Sequence, residues 1–129
     1  MIFFLDDDEY RVKTFRSMFP ATLVAWTSWE IIKMLKEYTV PLEYLFLDHD
    51  LGGEQFVNPE RENTGSEVVR WVVANKPLVE RIIIHSHNEP AAKMMEADLL
   101  EAGYWVRRLP WIHLRSRLLS GQFLYGLTR

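Results

Sequence analysis

The sequence predicts an α/β fold in which a parallel β-sheet is covered by helices on both faces. Short, nearly all-apolar runs alternate with stretches of helical periodicity along the 129 residues. The apolar runs lack the polar alternation that is typical of a sheet with one face in water. The strand-to-helix order occurs five times, and short right-handed crossovers of this kind bury both faces of a parallel sheet.

Three strands and two helices are predicted in the first part of the chain. In order they are a strand at 2–5, a helix at about 9–19, a strand at 22–26, a helix after residue 27 and a strand at 44–47. The first helix repeats apolar residues at helical spacing and ends at Pro20. The second begins at a capping box formed by Thr27 and Glu30. The strands are short apolar runs, which fits burial inside a sheet.

A polar stretch with two glycines follows, and the alternation then resumes. The remaining elements are a helix after residue 64, a strand at 81–85, a helix at about 90–102, a strand at 104–108 and a helix at 112–119. Thr64 and Glu67 form a second capping box. Asn88 or Glu89 is expected to cap the next helix, and Gly103 to stop it. This order best fits a flavodoxin-like, doubly wound five-stranded sheet with strand order 2-1-3-4-5.

Composition excludes several classes of protein. The chain is 48% hydrophobic and 26% charged, has no cysteine and lacks the run of roughly 18 apolar residues that a membrane span needs. A disulfide framework, a thiolate zinc site and a cysteine nucleophile are therefore excluded. We expect one domain over residues 1–129. We also expect a cytoplasmic location, since the N-terminus meets Asp6 without the basic leader of a signal peptide.

Charge is unevenly distributed along the chain. The net charge is −3, yet residues 1–106 hold all 18 acidic residues, while residues 107–129 hold five of the 15 lysines and arginines and no acid. The basic C-terminal helix and tail, residues 111–129, either contact phosphate or offset the acidic part of the chain. The apolar tail after Gly121 is a candidate oligomer contact. Nothing in the pattern indicates sequence-specific DNA binding or a membrane.

Polar clusters follow three of the five predicted strands. They are Asp6, Asp7 and Asp8 after the first strand, Asp48, His49 and Asp50 after the third, and His85, Ser86, His87 and Asn88 after the fourth. These strands are neighbours in the order 2-1-3-4-5, and ligands of open α/β sheets bind where the carboxyl ends of such strands meet. The clusters are therefore expected to converge on one crevice.

The expected crevice is rich in carboxylates, which predicts a bound divalent cation. Five carboxylates without a positive partner would raise one another's pKa unless a cation balanced them. Oxygen ligands suit Mg²⁺, whereas a histidine ligand shifts the preference towards Mn²⁺. The alternative is that one or two of these aspartates are loop caps that face water.

The five tryptophans raise the question of base stacking. They fall on predicted strands and helices, so packing between helices and sheet is the expectation for most of them. Trp111, beside the arginine-rich segment, is the candidate for contact with a nucleobase.

The order of the motifs resembles that in the receiver domain of two-component response regulators, over nearly the whole chain. The matching residues are the run Leu5-Asp6-Asp7-Asp8, the pair Leu47-Asp48, Ser86 and Gly103. The resemblance implies that Asp6 and Asp7 bind Mg²⁺. It also implies that Asp48 accepts a phosphoryl group and that Ser86 senses it.

The chain departs from the ordinary receiver pattern in ways that point to a derived group. Leu109 precedes Pro110 where that family has a phosphate-binding lysine, and the loop after Asp48 is longer than usual. The runs Leu47-Asp48-His49-Asp50-Leu51-Gly52 and Ile84-His85-Ser86-His87-Asn88 resemble those of cyclic-phosphate-processing receiver domains. That resemblance implies a site that binds or processes cyclic phosphates of nucleotides or RNA ends.

The chemical requirements of cyclic phosphate cleavage suggest roles for residues of the three polar clusters. Cleavage needs a metal to neutralise phosphoryl oxygens, a base to activate water and an acid for the leaving oxygen. The metal is assigned to Asp7 and Asp48, with Asp6 and Asp50 in support. His49 and His85 are the acid and the base in unassigned order. The candidate phosphate ligands are Ser86, His87, Asn88 and Arg108, and Asn88 fits a helix cap equally well.

Three functions remain open on the sequence. The preferred one is a metal-dependent phosphoesterase, or a sequestering binder, for cyclic phosphates. The second is a signalling receiver that is phosphorylated on Asp48, against which the absent lysine counts. The third is a non-catalytic interaction module, against which the density of polar groups counts.

Overall fold

The computed structural model describes residues 1–121, in which five strands alternate with five helices. The strands are β1 (Ile2–Leu5), β2 (Leu23–Ala25), β3 (Leu42–Leu47), β4 (Val79–Ile84) and β5 (Val106–Arg108). The helices are α1 (Glu9–Met18), α2 (Ser28–Glu37), α3 (Gly65–Asn75), α4 (Glu89–Glu101) and α5 (Trp111–Ser120). The strands form one parallel sheet in the order β2-β1-β3-β4-β5, which confirms the predicted flavodoxin-like topology.

The basic helix predicted near the C-terminus is α5. The apolar tail after Gly121, predicted as a candidate oligomer contact, lies outside the described residues, and so does Arg129. Within residues 1–121, none of the helices has the length and apolar composition that crossing a bilayer requires.

Four strands differ in extent from the prediction. β4 covers 79–84 instead of 81–85, and β5 covers 106–108 instead of 104–108. β2 is shorter, because the Thr22 N–H donates to the Phe19 carbonyl at 3.1 Å in the turn after α1 and Trp26 lies beyond the strand. β3 begins two residues earlier than predicted, at Leu42, because this buried side chain pairs with Val79 at the start of β4. The turn after α1 sets the start of β2, and pairing with β4, which the local pattern does not reveal, sets the start of β3.

Apolar side chains alternate between the two faces of the sheet. One face carries Phe3, Leu5, Leu45, Leu47, Ile82 and Ile84 beneath α2, α3 and α4. The other carries Phe4, Phe46 and Ile83 beneath α1 and α5. Each such side chain contributes about 1.5–3 kcal/mol when buried, so the two layers hold the strand ends rigidly beside one another.

The tryptophans follow the predicted packing only in part. Trp111 is 7% exposed and meets the His85 ring edge-on at a centroid distance of 6.4 Å, so the prediction that it contacts a nucleobase is wrong. Trp26 and Trp29 are 40% and 56% exposed. The prediction of core packing fails for these two residues. Trp26 lies just beyond the edge strand β2, and Trp29 lies on the face of α2 away from its buried residues Ile31 and Leu35.

Side-chain caps fix the points at which four helices begin. Asp8 accepts the Arg11 N–H at 2.9 Å at the start of α1. Thr27, Thr64 and Asn88 each accept a hydrogen bond from the backbone N–H three residues on, at 3.2, 3.2 and 3.3 Å. The caps at Thr27, Thr64 and Asn88 are thus confirmed. The return hydrogen bond of each predicted capping box is displaced by one residue, since Glu30 and Glu67 accept the N–H groups of Trp26 and Asn63 at 3.0 and 2.8 Å. A cap of this kind typically stabilises a helix by about 1 kcal/mol.

Gly65, at the start of α3, is expected to tolerate no side chain. A Cβ at this position would lie 2.1 Å from the Asp48 carbonyl oxygen and 2.8 Å from Met95 Cε. We expect Gly65→Ala to lower the free energy of unfolding by about 3 kcal/mol or more in chemical denaturation. Gly53→Ala is the comparison, because it has a φ of +79° but no atom within 4 Å of the new Cβ. Its backbone strain should cost only about 1–2 kcal/mol, and equal losses would contradict the steric argument.

Candidate functional site

A pocket of about 350 Å³ lies at the carboxyl edge of the sheet, where β1, β3 and β4 end side by side. The Asp48 N–H donates to the Leu5 carbonyl at 3.1 Å, and the His85 N–H donates to the Leu47 carbonyl at 3.0 Å. The residues that line the pocket are Asp7, Asp8, Arg11, Asp48, Asp50, Gly53, Glu54, Gln55, Phe56, His85, Ser86, His87 and Asn88. The structure therefore brings the three polar clusters together at one crevice.

Asp6 is a completely buried carboxylate beneath this pocket. Arg11 Nε and Nη2 donate to its two oxygens at 2.8 and 2.9 Å, and His85 Nε2 donates to Oδ2 at 2.9 Å. Burial alone would raise the pKa of Asp6, but the hydrogen bonds from His85 and Arg11 hold it well below its usual range. Asp6 is therefore ionised and fixed in orientation.

Arg11 is the site residue that sequence reasoning missed. The carboxylates were expected to lack a positive partner, yet the Arg11 guanidinium binds Asp6 and reaches Asp48, with Nη2 at 3.5 Å from Asp48 Oδ2. A usable signal existed in the sequence. Arg11 stands in the first turn of a helix, just after the Asp8 cap, where the helix dipole disfavours a cation. A cation at that position indicates a nearby anionic partner.

Asp48 is the carboxylate of the site whose ionised form is disfavoured by its surroundings. It is 6% exposed, and burial together with the neighbouring Asp6 carboxylate raises the pKa of Asp48 to about 7. His85 and Arg11 oppose this increase without cancelling it. A cation bound beside Asp48 would stabilise its ionised form.

Asp6, Asp7 and Asp48, which we call the acidic group, could hold a divalent metal. One oxygen from each lies within 4.8 Å of the others, and an all-oxygen donor set suits Mg²⁺ or Mn²⁺. The fit is best for Asp7 and Asp48, because Arg11 already binds both oxygens of Asp6. Asp7 accepts a hydrogen bond from the Gly53 N–H at 2.7 Å. This bond holds the long loop after β3 against residues 6–8, which we call the acidic turn.

Asp50 does not join this acidic group, although the sequence assigned it a supporting role at the metal. It accepts the N–H groups of Phe56 and Val57, at 2.6 and 3.2 Å. His49 Nδ1 and Asn88 Nδ2 donate to it from 2.7 and 3.0 Å. Burial opposes ionisation, but these hydrogen bonds lower the pKa of Asp50. Asp50 thus anchors the loop between β3 and α3 to the start of α4.

The histidines occupy three different environments. His49 is fully buried behind Asp50 and does not line the pocket, and burial lowers its pKa. His85 lines the pocket floor with its ring stacked on Phe4 at 4.8 Å and its Nε2 bound to Asp6. His87 is exposed at the pocket mouth, and partial burial together with the Arg11 charge lowers its pKa.

Ser86 and Asn88 line the pocket, whereas Arg108 does not. Ser86 Oγ accepts the Asn88 N–H at 3.0 Å, and the Asn88 side chain caps α4 while it donates to Asp50. Arg108 lies on β5, where its Nε donates to Glu96 of α4 at 3.0 Å. This ion pair holds Arg108 away from the other proposed phosphate ligands.

Comparison with known proteins gives a family match over most of the chain. The model of the family described as "Cyclic-phosphate processing Receiver domain" matches residues 1–101. The matched range contains the acidic group and the Ser86 turn, and it ends before β5. No curated protein and no solved structure matches the chain. The resemblance indicated by the order of the motifs is thereby confirmed.

The raised pKa of Asp48 predicts a stability change that depends on pH. Because its pKa rises from an ordinary 3.8 to about 7 on folding, the metal-free protein loses stability as the pH increases through that interval. Asp48→Asn removes the loss. We expect the gain in Tm, measured in chelator, to be about 5 °C larger at pH 7.5 than at pH 5. Asp98→Asn, at an exposed position of α4, is the matched control. The same gain at both pH values would refute the argument.

Divalent cations are expected to stabilise the protein through the acidic group. At about 100 times its dissociation constant, a bound cation adds about 2.7 kcal/mol, so millimolar Mg²⁺ or Mn²⁺ should raise the Tm by several degrees. Asp7→Asn and Asp48→Asn should abolish this increase. Glu54→Gln should retain it, because Glu54 lines the same pocket but pairs with Arg61. An unchanged Tm for the wild-type protein would count against a metal site.

Proposed function

The chain belongs to the cyclic-phosphate processing receiver domain family, and from that premise we propose that its pocket binds a cyclic phosphate ester beside a divalent metal and hydrolyses it. The observation that supports this most is the arrangement around one space of about 350 Å³. Asp7 and Asp48 face it from β1 and β3, and Ser86 and His87 face it from the turn after β4. The volume lies in the range usual for small-ligand sites.

The proposed substrate is the cyclic phosphate of a nucleotide or of an RNA end. Its negative charge would be repelled by the carboxylates of the pocket unless cations were present. Asp7 and Asp48 would hold a divalent cation, which neutralises the phosphoryl oxygens when bound. Arg11 adds a fixed positive charge and is the only lysine or arginine that lines the pocket within residues 1–121.

The turn between β4 and α4 is the proposed phosphate-binding wall. Ser86 Oγ accepts the Asn88 N–H, so the Ser86 hydroxyl proton can be donated to a phosphoryl oxygen. α4 has 13 residues, and its N-terminus carries the partial positive charge that attracts phosphate. Both groups follow β4, which β3 separates from β1 in the sheet.

Hydrolysis adds water to phosphorus and breaks the bond from phosphorus to one ribose oxygen. A base takes the proton of the water, and an acid gives a proton to the leaving oxygen, which yields a phosphomonoester. His85 and His87 line the pocket and are proposed as this pair in unassigned order. The lowered pKa of His87 favours its neutral form at pH 7. His49 is proposed as a positioning residue that acts through Asp50, because it does not line the pocket.

A phosphoacceptor function for Asp48 is the second candidate, and one observation favours it. Leu109 stands where receiver domains carry a phosphate-binding lysine, but Arg11 Nη2 lies 3.5 Å from Asp48 Oδ2. Arg11 could therefore supply from α1 the positive charge that the lysine would otherwise supply after β5.

Turnover of cyclic nucleotides tests the proposal. We expect the protein to convert 2′,3′- or 3′,5′-cyclic nucleotides to phosphomonoesters when Mg²⁺ or Mn²⁺ is present. The conversion is measured by phosphorus NMR. His87→Ala should lower kcat by about a hundredfold, the usual scale for an acid or base group. It should leave the metal-dependent increase in Tm intact. His113→Ala, at an exposed position of α5 outside the pocket, should keep the wild-type kcat.

Three results would separate the candidate functions. Incubation with acetyl phosphate followed by intact-mass measurement detects an aspartyl phosphate, and its formation on Asp48 without any cleavage would refute the phosphoesterase. A larger loss of kcat in His49→Ala than in His87→Ala would support the sequence-based assignment of His49 and His85 as the acid and the base. Tight binding of a cyclic nucleotide without cleavage would leave the binding half of the proposal and remove the catalytic half.

A further inference from the structure

A second cavity, of about 710 Å³, adjoins the pocket on the side of β2, and the proposed function does not use it. We call it the β2-side groove, and its lining includes Asp7, Glu9, Lys13, Arg16 and Trp26. Asp7 lines both the groove and the pocket. The groove and the pocket therefore meet at Asp7.

Trp26 offers an aromatic surface at a fixed distance from the acidic turn. It directly follows Ala25, whose carbonyl accepts the Asp6 N–H at 3.1 Å. Its own backbone N–H donates to Glu30 Oε1 at 3.0 Å, which holds the start of α2. The residue is 40% exposed although its backbone is anchored. An exposed indole at an anchored position is suited to stacking against a nucleobase.

Two cations lie along the α1 wall of the same groove. Lys13 and Arg16 are three residues apart and so share one face of the helix. Both are exposed, and neither forms an ion pair with any residue in the described part of the chain. Glu9 precedes Lys13 by about one turn and Arg16 by about two. The groove is thus acidic near Asp7 and becomes basic along α1.

We propose that the β2-side groove binds the nucleotides that precede a terminal cyclic phosphate, so that a single-stranded RNA 3′ end is bound more tightly than a free cyclic nucleotide. This inference rests on the proposed function, which puts the cyclic phosphate beside Asp7 and Asp48. A 2′,3′-cyclic phosphate requires the ribose 2′ oxygen, so the attached chain is RNA. A base of that chain stacks on Trp26, and its preceding phosphates meet Lys13 and Arg16.

Binding of a product-like RNA tests the groove independently of turnover. The probe is a fluorescein-labelled tetraribonucleotide with a 3′-phosphate, which cannot be hydrolysed further, and anisotropy is measured in Mg²⁺. We expect it to bind at least about tenfold more tightly than a nucleoside 3′-monophosphate used as competitor, and Trp26→Ala to remove most of that advantage. The double variant Lys13→Ala and Arg16→Ala should weaken binding and reduce its salt dependence. Trp29→Ala and Lys33→Ala, exposed on α2 outside the groove, are the matched controls.

The outcomes distinguish failure of the groove from failure of the proposed hydrolysis. Equal affinity for the tetranucleotide and the mononucleotide, or wild-type affinity in the groove variants, would overturn the groove proposal even if cyclic nucleotides are cleaved. Binding that depends on Trp26 in a protein without turnover would sustain the groove and refute the hydrolysis. Competition by heparin as strong as that by the unlabelled tetranucleotide would show general polyanion binding, which also overturns the proposal.

Discussion

A buried negative charge at Asp6 is the constraint on which the carboxyl edge of the sheet depends. Arg11 and His85 neutralise or orient it with three hydrogen bonds, and these link α1, β1 and the end of β4. Removing one partner of such a buried pair typically costs about 3–5 kcal/mol, because the remaining charge is left without compensation. The arrangement therefore fixes the relative positions of three elements at the point where the pocket opens.

The chemistry of the pocket follows from that fixed charge. Burial and the neighbouring Asp6 carboxylate raise the pKa of Asp48, while Arg11 is largely engaged by Asp6 and only partly balances the second carboxylate. Asp7 and Asp48 are left to face the pocket with incomplete compensation. A divalent cation is the natural complement to this imbalance, and a phosphate ester is the natural ligand of such a cation.

The loop after β3 forms another wall of the site, and it is held by Asp50 rather than by Asp6. The Asp50 carboxylate accepts hydrogen bonds from two backbone N–H groups of the loop, from the His49 ring and from the Asn88 amide. Gly65 lets α3 start against the Asp48 carbonyl, where any side chain would clash. These contacts allow a long loop to form a wall of the pocket, and they explain why Asp50 organises structure although it lies among candidate ligands.

The local pattern of the sequence determined the alternation of strands and helices, the capping residues and the three polar clusters, because periodicity, capping and the chemistry of strand ends are properties of neighbouring residues. The strand order followed from that alternation, since right-handed crossovers leave few possible topologies. It also pointed to the family. Only the tertiary structure decided which members of the clusters face the pocket. Arg11 reaches Asp48, 37 residues away, while His49 turns behind Asp50 and Arg108 turns to Glu96. The exposure of Trp26 likewise depends on an edge strand that ends one residue earlier than its apolar run. Side-chain direction and partner choice are set by packing between distant segments, and that information is absent from any local pattern.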